Sequence, residues 1–331
     1  MKPTRTLLVA SAAALTLALG ACGTTEDSGD DTSSDSNEKI TITDARGKEV
    51  TLDGPAERVA TTEWNTVEYL ISLGVQPVGV SDIKGFEAWN QSVELDDDAT
   101  DIGTRGEPSL DTLATLDLDV VLVTDQLVGD AIEQIEKTTP VIVVPGGDSK
   151  DPLGQMWKNV DLVAQATGTE DEAKDVQKEF DETLADGKKA VEEAGKSGAK
   201  VAFNDAYDAG GAVSVRPYTE GSLVGAVLGE LGFANAWSEV DGIEGDPAYG
   251  LGQTDVEGLT KLPADSLYWY IGNDVEADPY TDALAKNKVW TGLPFVKSGN
   301  VERLPDGIWM FGGPASMSDF VDAAVKTVQG S

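Results

Sequence analysis

The sequence predicts an α/β protein built as two similar lobes joined by one long helix, and three observations carry that expectation. Near-continuous Val/Ile segments such as 120–123 and 141–144 alternate with helical patterns, as in parallel sheets covered on both faces. A charged, almost uninterrupted stretch over 170–193 reads as a single helix. Its apolar residues, Ala173, Val176, Phe180, Leu184 and Val191, mark one narrow buried stripe, so it serves as a connecting strut. Finally, the halves share a frame: Asp111, Leu113, Leu116 and Asp119 lead into the strand 120–123, and Glu257, Leu259, Leu262 and Asp265 lead into 266–270 at the same spacing. Residues 69–75 and 227–233 match in the same way.

Taken in order, the first piece is a hairpin, 40–43 and 49–52, about a turn over 44–48 that contains Gly47. A short strand over 58–61 precedes a helix over 66–73, where Val67, Leu70, Ile71 and Leu73 fall at helical spacing and Gly74 stops the run. A strand over 75–80, a helix over 110–116, the strand 120–123, a helix over 131–137 and the strand 141–144 complete the first half. A helix over 153–168 leads to the strut. The strand–helix rhythm resumes at 200–203. The lobes therefore run over 39–168 and 196–331, with 169–195 as the connection.

Ahead of the lobes, Lys2 and Arg5 precede an apolar run over 7–19. At 1.5 Å per residue that run is too short for a ~30 Å hydrocarbon core, but it suits a secretory signal. It ends in Leu19-Gly20-Ala21-Cys22, which resembles the lipobox of bacterial lipoproteins. That likeness implies a signal peptide over 1–21 and lipidation of Cys22, the chain's single cysteine. Residues 23–38 are mostly Ser, Thr, Asp and Gly, with Glu26, Asn37 and Glu38 and no large apolar side chain, the composition of a tether. The expected location is the outer face of a membrane.

Composition removes whole classes of function. The chain has no histidine, which excludes a serine–histidine triad, a histidine zinc site and a histidine-ligated haem. With Cys22 lipidated, no thiol chemistry remains. The 59 acidic against 24 basic residues, a net charge of −35, make nucleic acid an unsuitable partner. Acidity of this kind also serves solubility alone.

Three stretches of the first lobe, 63–70, 73–80 and 102–110, the last containing Gly103-Thr104-Arg105-Gly106-Glu107-Pro108, resemble iron–siderophore binding proteins of ABC importers, especially the ferric hydroxamate branch. The tail agrees: residues 293–301 and Trp309-Met310-Phe311-Gly312-Gly313-Pro314-Ala315-Ser316 are similar to that branch's C-terminal signature. The resemblance covers the chain from Ile40 onward. It implies two Rossmann-like α/β lobes bridged by one long helix, as in siderophore receptors of that type. It also implies a shallow cleft that moves little, no catalysis and no resident cofactor or metal, with the chelator itself holding the iron.

What the resemblance implies for residues can be stated position by position. Arg105 holds the iron-chelating oxygens, a role that suits a planar guanidinium with several donors; the bland alternative is a loop arginine paired with Glu107. Trp89, in a loop over 84–92, Tyr249, in a Gly/Pro-rich loop over 245–252, and Trp309 match cleft aromatics, and Trp64 follows a strand end. Trp157, Trp237, Trp269 and Trp290 are expected to pack. Arg216, after the strand 213–215, reaches the cleft from the second lobe or lies on the surface. Asp111 and Glu257 match acids that dock on the permease, with Asp111 shorter than the usual glutamate and Glu107 as its substitute. The expected partners are an ABC permease with its ATPase, a ferric siderophore and, through lipid, the membrane. The alternatives are a receptor of the same fold for ferric citrate or a corrinoid, a secreted hydrolase using paired carboxylates, and a surface adhesin.

Overall fold

Period-two alternation along the strands decides how the layers stack. In the computed structural model, which describes residues 39–124, 131–208, 210 and 212–330, those residues belong to one structural unit. Residues 1–21, read as a signal peptide, and 22–38, read as a lipid-anchored tether beginning at Cys22, lie outside the described residues. The chain opens with the antiparallel pair β1 (Ile40–Thr43) and β2 (Glu49–Leu52). The buried Asp44 carboxylate forms their turn, accepting from the backbone N–H groups of Arg46, Lys48 and Val143.

The first sheet is built from β3 (Val59–Thr61), β4 (Gly79–Val80), β5 (Thr100–Asp101), β8 (Val120–Thr124) and β9 (Val141–Val144) in the parallel order β5-β4-β3-β8-β9. Helices α1 (Trp64–Ser72), α2 (Ile83–Trp89), α3 (Leu110–Leu113) and α4 (Ile132–Ile135) fill its crossovers, and the small hairpin β6 (Gly103–Thr104) with β7 (Glu107–Pro108) stands at one end. Helix α5 (Pro152–Thr167) and the strut α6 (Glu170–Glu193) lead to the second sheet. There β10 (Lys200–Asp208), β11 (Val213–Pro217), α7 (Leu223–Glu230), β12 (Ala234–Asn235), β13 (Leu267–Tyr270), α8 (Pro294–Lys297), β14 (Val301–Arg303) and α9 (Pro314–Gln329) follow. Strands β12, β10, β13 and β14 pair in parallel in that order, and β11 adds antiparallel to the far part of β10.

The orders β4-β3-β8-β9 and β12-β10-β13-β14 are one topology used twice, and the repeat extends to the caps. Helices α1 and α7 end in the same Schellman bonds, Gly74 N–H to Ile71 C=O with Val75 N–H to Leu70 C=O, and Gly232 N–H to Gly229 C=O with Phe233 N–H to Leu228 C=O. Both glycines have positive φ, +78° and +93°. At the other shared frame, Ser109 caps Thr112 N–H and Asp255 caps Gly258 N–H.

Alternate strand residues feed different cores. Val120, Leu122, Ile142 and Val144 face the same cluster as Val201, Phe203, Trp269 and Ile271 of the second sheet, together with residues of α1, α5, α6, α7 and α9. The opposite faces build separate clusters around Val121, Val123, Val141 and Val143, and around Tyr268, Tyr270, Trp237 and Trp290. A continuous core therefore runs through both lobes, which favours a stiff relation between them.

Several boundaries differ from the sequence reading. Helix α1 begins at Trp64, two residues early, because Thr66 and Asn65 turn their side chains to local backbone. The expected strand over 75–80 shrinks to Gly79–Val80, and the helices over 110–116 and 131–137 shrink to four residues each. Trp89 is not in a loop: it is the last residue of α2, whose start Asp82 caps by accepting from Gly85 N–H.

Candidate functional site

Arg105 sits at the tip of the β6–β7 hairpin, in the two-residue turn Arg105-Gly106. Gly106 takes φ +82°, a value that a side chain would resist, and this fixes the direction in which the arginine leaves the sheet. Its partner is Glu63, not Glu107. Arg105 Nη2 donates to Glu63 Oε2 at 2.7 Å and Nε donates at 3.1 and 3.2 Å to the two oxygens. The guanidinium stacks 4.1 Å over the Trp64 ring and 5.4 Å from that of Trp309. Arg105 is 30% exposed and lines the recess, so donors of its guanidinium can reach a ligand oxygen there. Burial pushes the Glu63 carboxyl above its ordinary value, and the Arg105 bond and charge offset this only in part.

From the second lobe Arg216 approaches on β11, where antiparallel register sets it opposite Asp205 of β10. Its Nε donates to Asp205 Oδ1 at 2.7 Å, Nη2 pairs with Oδ2, and Tyr218 Oη donates to the same carboxylate at 3.0 Å. Burial alone would lower the Arg216 pKa, but the bond to Asp205 together with the charges of Tyr218, Asp205 and Tyr207 outweighs it and holds the guanidinium charged.

The aromatics form a connected series. Trp309 lies 4.9 Å from Trp64, 6.0 Å from Trp89 and 5.1 Å from Phe311, which in turn lies 5.4 Å from Tyr249. Tyr249 is placed by Asp246, whose carboxylate accepts from the backbone N–H groups of Ala248, Tyr249 and Leu251. Arg105, Arg216, Tyr249, Trp309, Phe311 and Glu63 line one open recess of ≈ 690 Å³ between the lobes. Trp64 does not line it. That ring is buried beneath, with Nε1 donating to Ser81 C=O at 3.1 Å, and supports Arg105. Trp89 lines an adjoining recess.

Sequence reasoning missed Glu63 and Phe311. Phe311 lies two residues from Trp309, and the turn closed by Gly312 N–H to Trp309 C=O brings the two rings to 5.1 Å. Glu63 offered no signal beyond its place after a strand. Trp157 packs edge-on against Phe180, and Trp237, Trp269 and Trp290 are buried. Among the described residues no group of three or more His, Cys, Asp or Glu side chains could hold a metal ion, and no helix is long and apolar enough to cross a membrane.

Behind the recess the lobes are tied by Glu68 of α1. Its fully buried carboxylate accepts from Ser316 N–H at 2.8 Å and Ser316 Oγ at 2.6 Å at the start of α9, and from Asn90 Nδ2 at 2.7 Å. Ser149 N–H also donates to Pro247 C=O across the same seam.

Two lobes around a recess of arginines and aromatic rings define a binding protein. Residues 59–307 match the periplasmic binding protein family, and the chain belongs to it. It is a substrate-binding protein and not an enzyme. Among curated relatives it is 26% identical over 279 residues to the iron(3+)-hydroxamate-binding protein FhuD of Escherichia coli, covering 82% of this chain and 87% of that one. It is 25% identical over 294 residues to the Fe(3+)-citrate-binding protein YfmC of Bacillus subtilis, covering 88% and 87%. Its fold is that of the Fe3+-Desferal-bound siderophore-binding protein FhuD of Vibrio cholerae, with a TM-score of 0.69 and 24% identity over 82% of this chain and 97% of the other.

Proposed function

We propose that this protein captures a ferric siderophore of the hydroxamate type outside the cytoplasmic membrane and delivers it to an ABC import permease and its ATPase. One observation carries the reading: Arg105, fixed by a hairpin turn, Glu63 and two indole rings, faces a recess that Arg216, Tyr249 and Trp309 complete. A chelator supplies all the iron ligands, so the protein needs only donors for the outer oxygens and flat surfaces for the apolar backbone. The relative that binds iron(3+)-hydroxamate supports the cargo class. Ferric citrate is the second reading, favoured by the two arginines and by the citrate-binding relative; a corrinoid is a third.

Lipid on Cys22 would hold the protein at the membrane, with 23–38 as its tether. Asp111 and Glu257 would meet the permease. Both are exposed and follow the equivalent caps Ser109 and Asp255, so the repeat sets them at matching places on the two lobes. Leu110, 36% exposed, adds an apolar contact beside Asp111.

Intrinsic tryptophan fluorescence, titrated with ferrichrome, ferrioxamine B, ferric citrate and cyanocobalamin, tests the cargo. Saturable quenching by the ferric hydroxamates, weakened in Arg105→Ala, is expected. Response to ferric citrate or cyanocobalamin alone would transfer the assignment to that cargo, and silence toward all four would end it.

A further inference from the structure

We infer that the recess adjoining the main one is a second part of the cargo site, built to take a cationic alkylammonium arm of the ferric chelate; this rests on the function proposed above. The recess, ≈ 710 Å³, is bounded by Trp89 from the first lobe and by Asp205, Tyr207, Asn273, Glu276 and Asp278 from the second. It shares Arg216 with the main recess, and Trp89 stands edge-on to Trp309, which lines that recess. A cargo bound over Arg105 therefore has a continuous path into it.

The charge of this recess differs from its neighbour's. Arg216 is its one basic lining residue, and Asp205 already neutralises it. Glu276 and Asp278 are left: the nearby Arg303 pairs with Asp274 and Asp306, and only its charge reaches Asp278. Two further observations point to a ligand. Asn273 is 4% exposed; its Oδ1 accepts from Val275 N–H and Glu276 N–H, while its Nδ2 has no hydrogen-bond partner among the described residues. A buried donor without a partner is costly, so an amide or hydroxyl oxygen on the ligand would relieve it. In addition, Tyr207, 47% exposed and one of three large hydrophobic side chains exposed among the described residues, lines this recess.

An alkyl chain ending in an ammonium fits that combination. Its methylenes would cover Tyr207, and its charge would settle beside the Glu276 carboxylate, which Trp89 Nε1 holds in place by donating to Oε1 at 3.4 Å.

Ferrioxamine B carries a pendant primary ammonium, and N-acetylation removes that charge while leaving the ferric centre unchanged. Calorimetric titration of the full chain with both complexes at low ionic strength gives a preference ratio. The wild type is expected to favour the ammonium form, and Glu276→Gln and Asp278→Asn to reduce that ratio, each by roughly fivefold. Glu170→Gln, at the far start of α6, is the control for general electrostatics and should leave it intact. Equal affinities in the wild type, or a ratio that the Glu170 change lowers as much as the recess changes do, would overturn the inference while the siderophore reading stands. Failure of both complexes to bind while ferrichrome still binds would overturn this inference alone; failure of ferrichrome and ferric citrate as well would overturn the siderophore reading with it.

Discussion

Arg105 is restrained from three directions, by its turn, by Glu63 and by two indole faces, and each restraint makes a different demand on a replacement. Lysine keeps a charge near Glu63 but has neither the fork nor the flat surface that rests on Trp64. Stacked cations contribute about 0.5–2 kcal/mol per ring face, so Arg105→Lys should weaken binding of a ferric hydroxamate by roughly tenfold or more in a fluorescence titration. Unchanged affinity would show that the fork is not used. Arg105→Ala should also destabilise the fold, because Glu63 is 6% exposed and would lose its cation. The cost lies toward the lower end of the roughly 3–5 kcal/mol for breaking a buried pair, since Arg105 is itself 30% exposed.

Glu68 carries a separate residue-scale consequence. Burial pushes its carboxyl above the ordinary value, although Ser316 and Asn90 donate to it. A carboxyl with a raised folded pKa contributes stability that is complete below its unfolded pKa and is lost as pH rises through the folded one. The stability of the wild type relative to Glu68→Gln should therefore fall between acid and neutral pH, measured as a difference in urea midpoints. A difference that does not vary with pH would contradict this.

Among the elements, the strut α6 depends on close approach. A Cβ at Gly187 would lie 2.5 Å from Val321 of α9 and 2.9 Å from Leu231 at the end of α7. Glycine weakens a helix by about 1 kcal/mol against alanine, so its presence here reflects packing, and Gly187→Leu should lower stability by about 1–3 kcal/mol or more through overpacking. Retention of the wild-type melting temperature would refute that. For the repeated caps, Asp111→Lys with Glu257→Lys should abolish uptake through the reconstituted permease while leaving cargo affinity in solution unchanged. A parallel loss of affinity would place those acids in the binding site instead.

The elements best seen in the sequence were those whose signals were local and repeated. Strands 120–124 and 141–144 are buried on both faces and so read as unbroken apolar runs. Helix α6 is long and amphipathic, and its bounds match the expected 170–193. Helix α2 was missed because only Phe86 within it is fully buried, which leaves no apolar stripe to read. In the site, arginine and tryptophan announce themselves by chemistry. Glu63 does not, since only the folding of β6–β7 against the start of α1 makes it the partner of Arg105.

At the scale of the molecule, two properties shape function. The common core and the Glu68–Ser316 tie bind the lobes into one body, which fits a receptor whose recess is formed before the cargo arrives. The charge of −35 repels itself, and screening should relieve it: the melting temperature should rise from low salt to about 0.5 M sodium chloride. A fall would mean that favourable ion pairs outweigh the repulsion.

The central claim is that a ferric chelate sits between the lobes against Arg105. Crystals grown with ferrichrome, with iron located by its anomalous scattering, test it directly. The account predicts one iron peak in the recess bounded by Arg105, Arg216, Tyr249 and Trp309, with hydroxamate oxygens within hydrogen-bond distance of the Arg105 guanidinium. A bound chelate whose iron lies outside that recess, or whose oxygens leave Arg105 untouched, would contradict it.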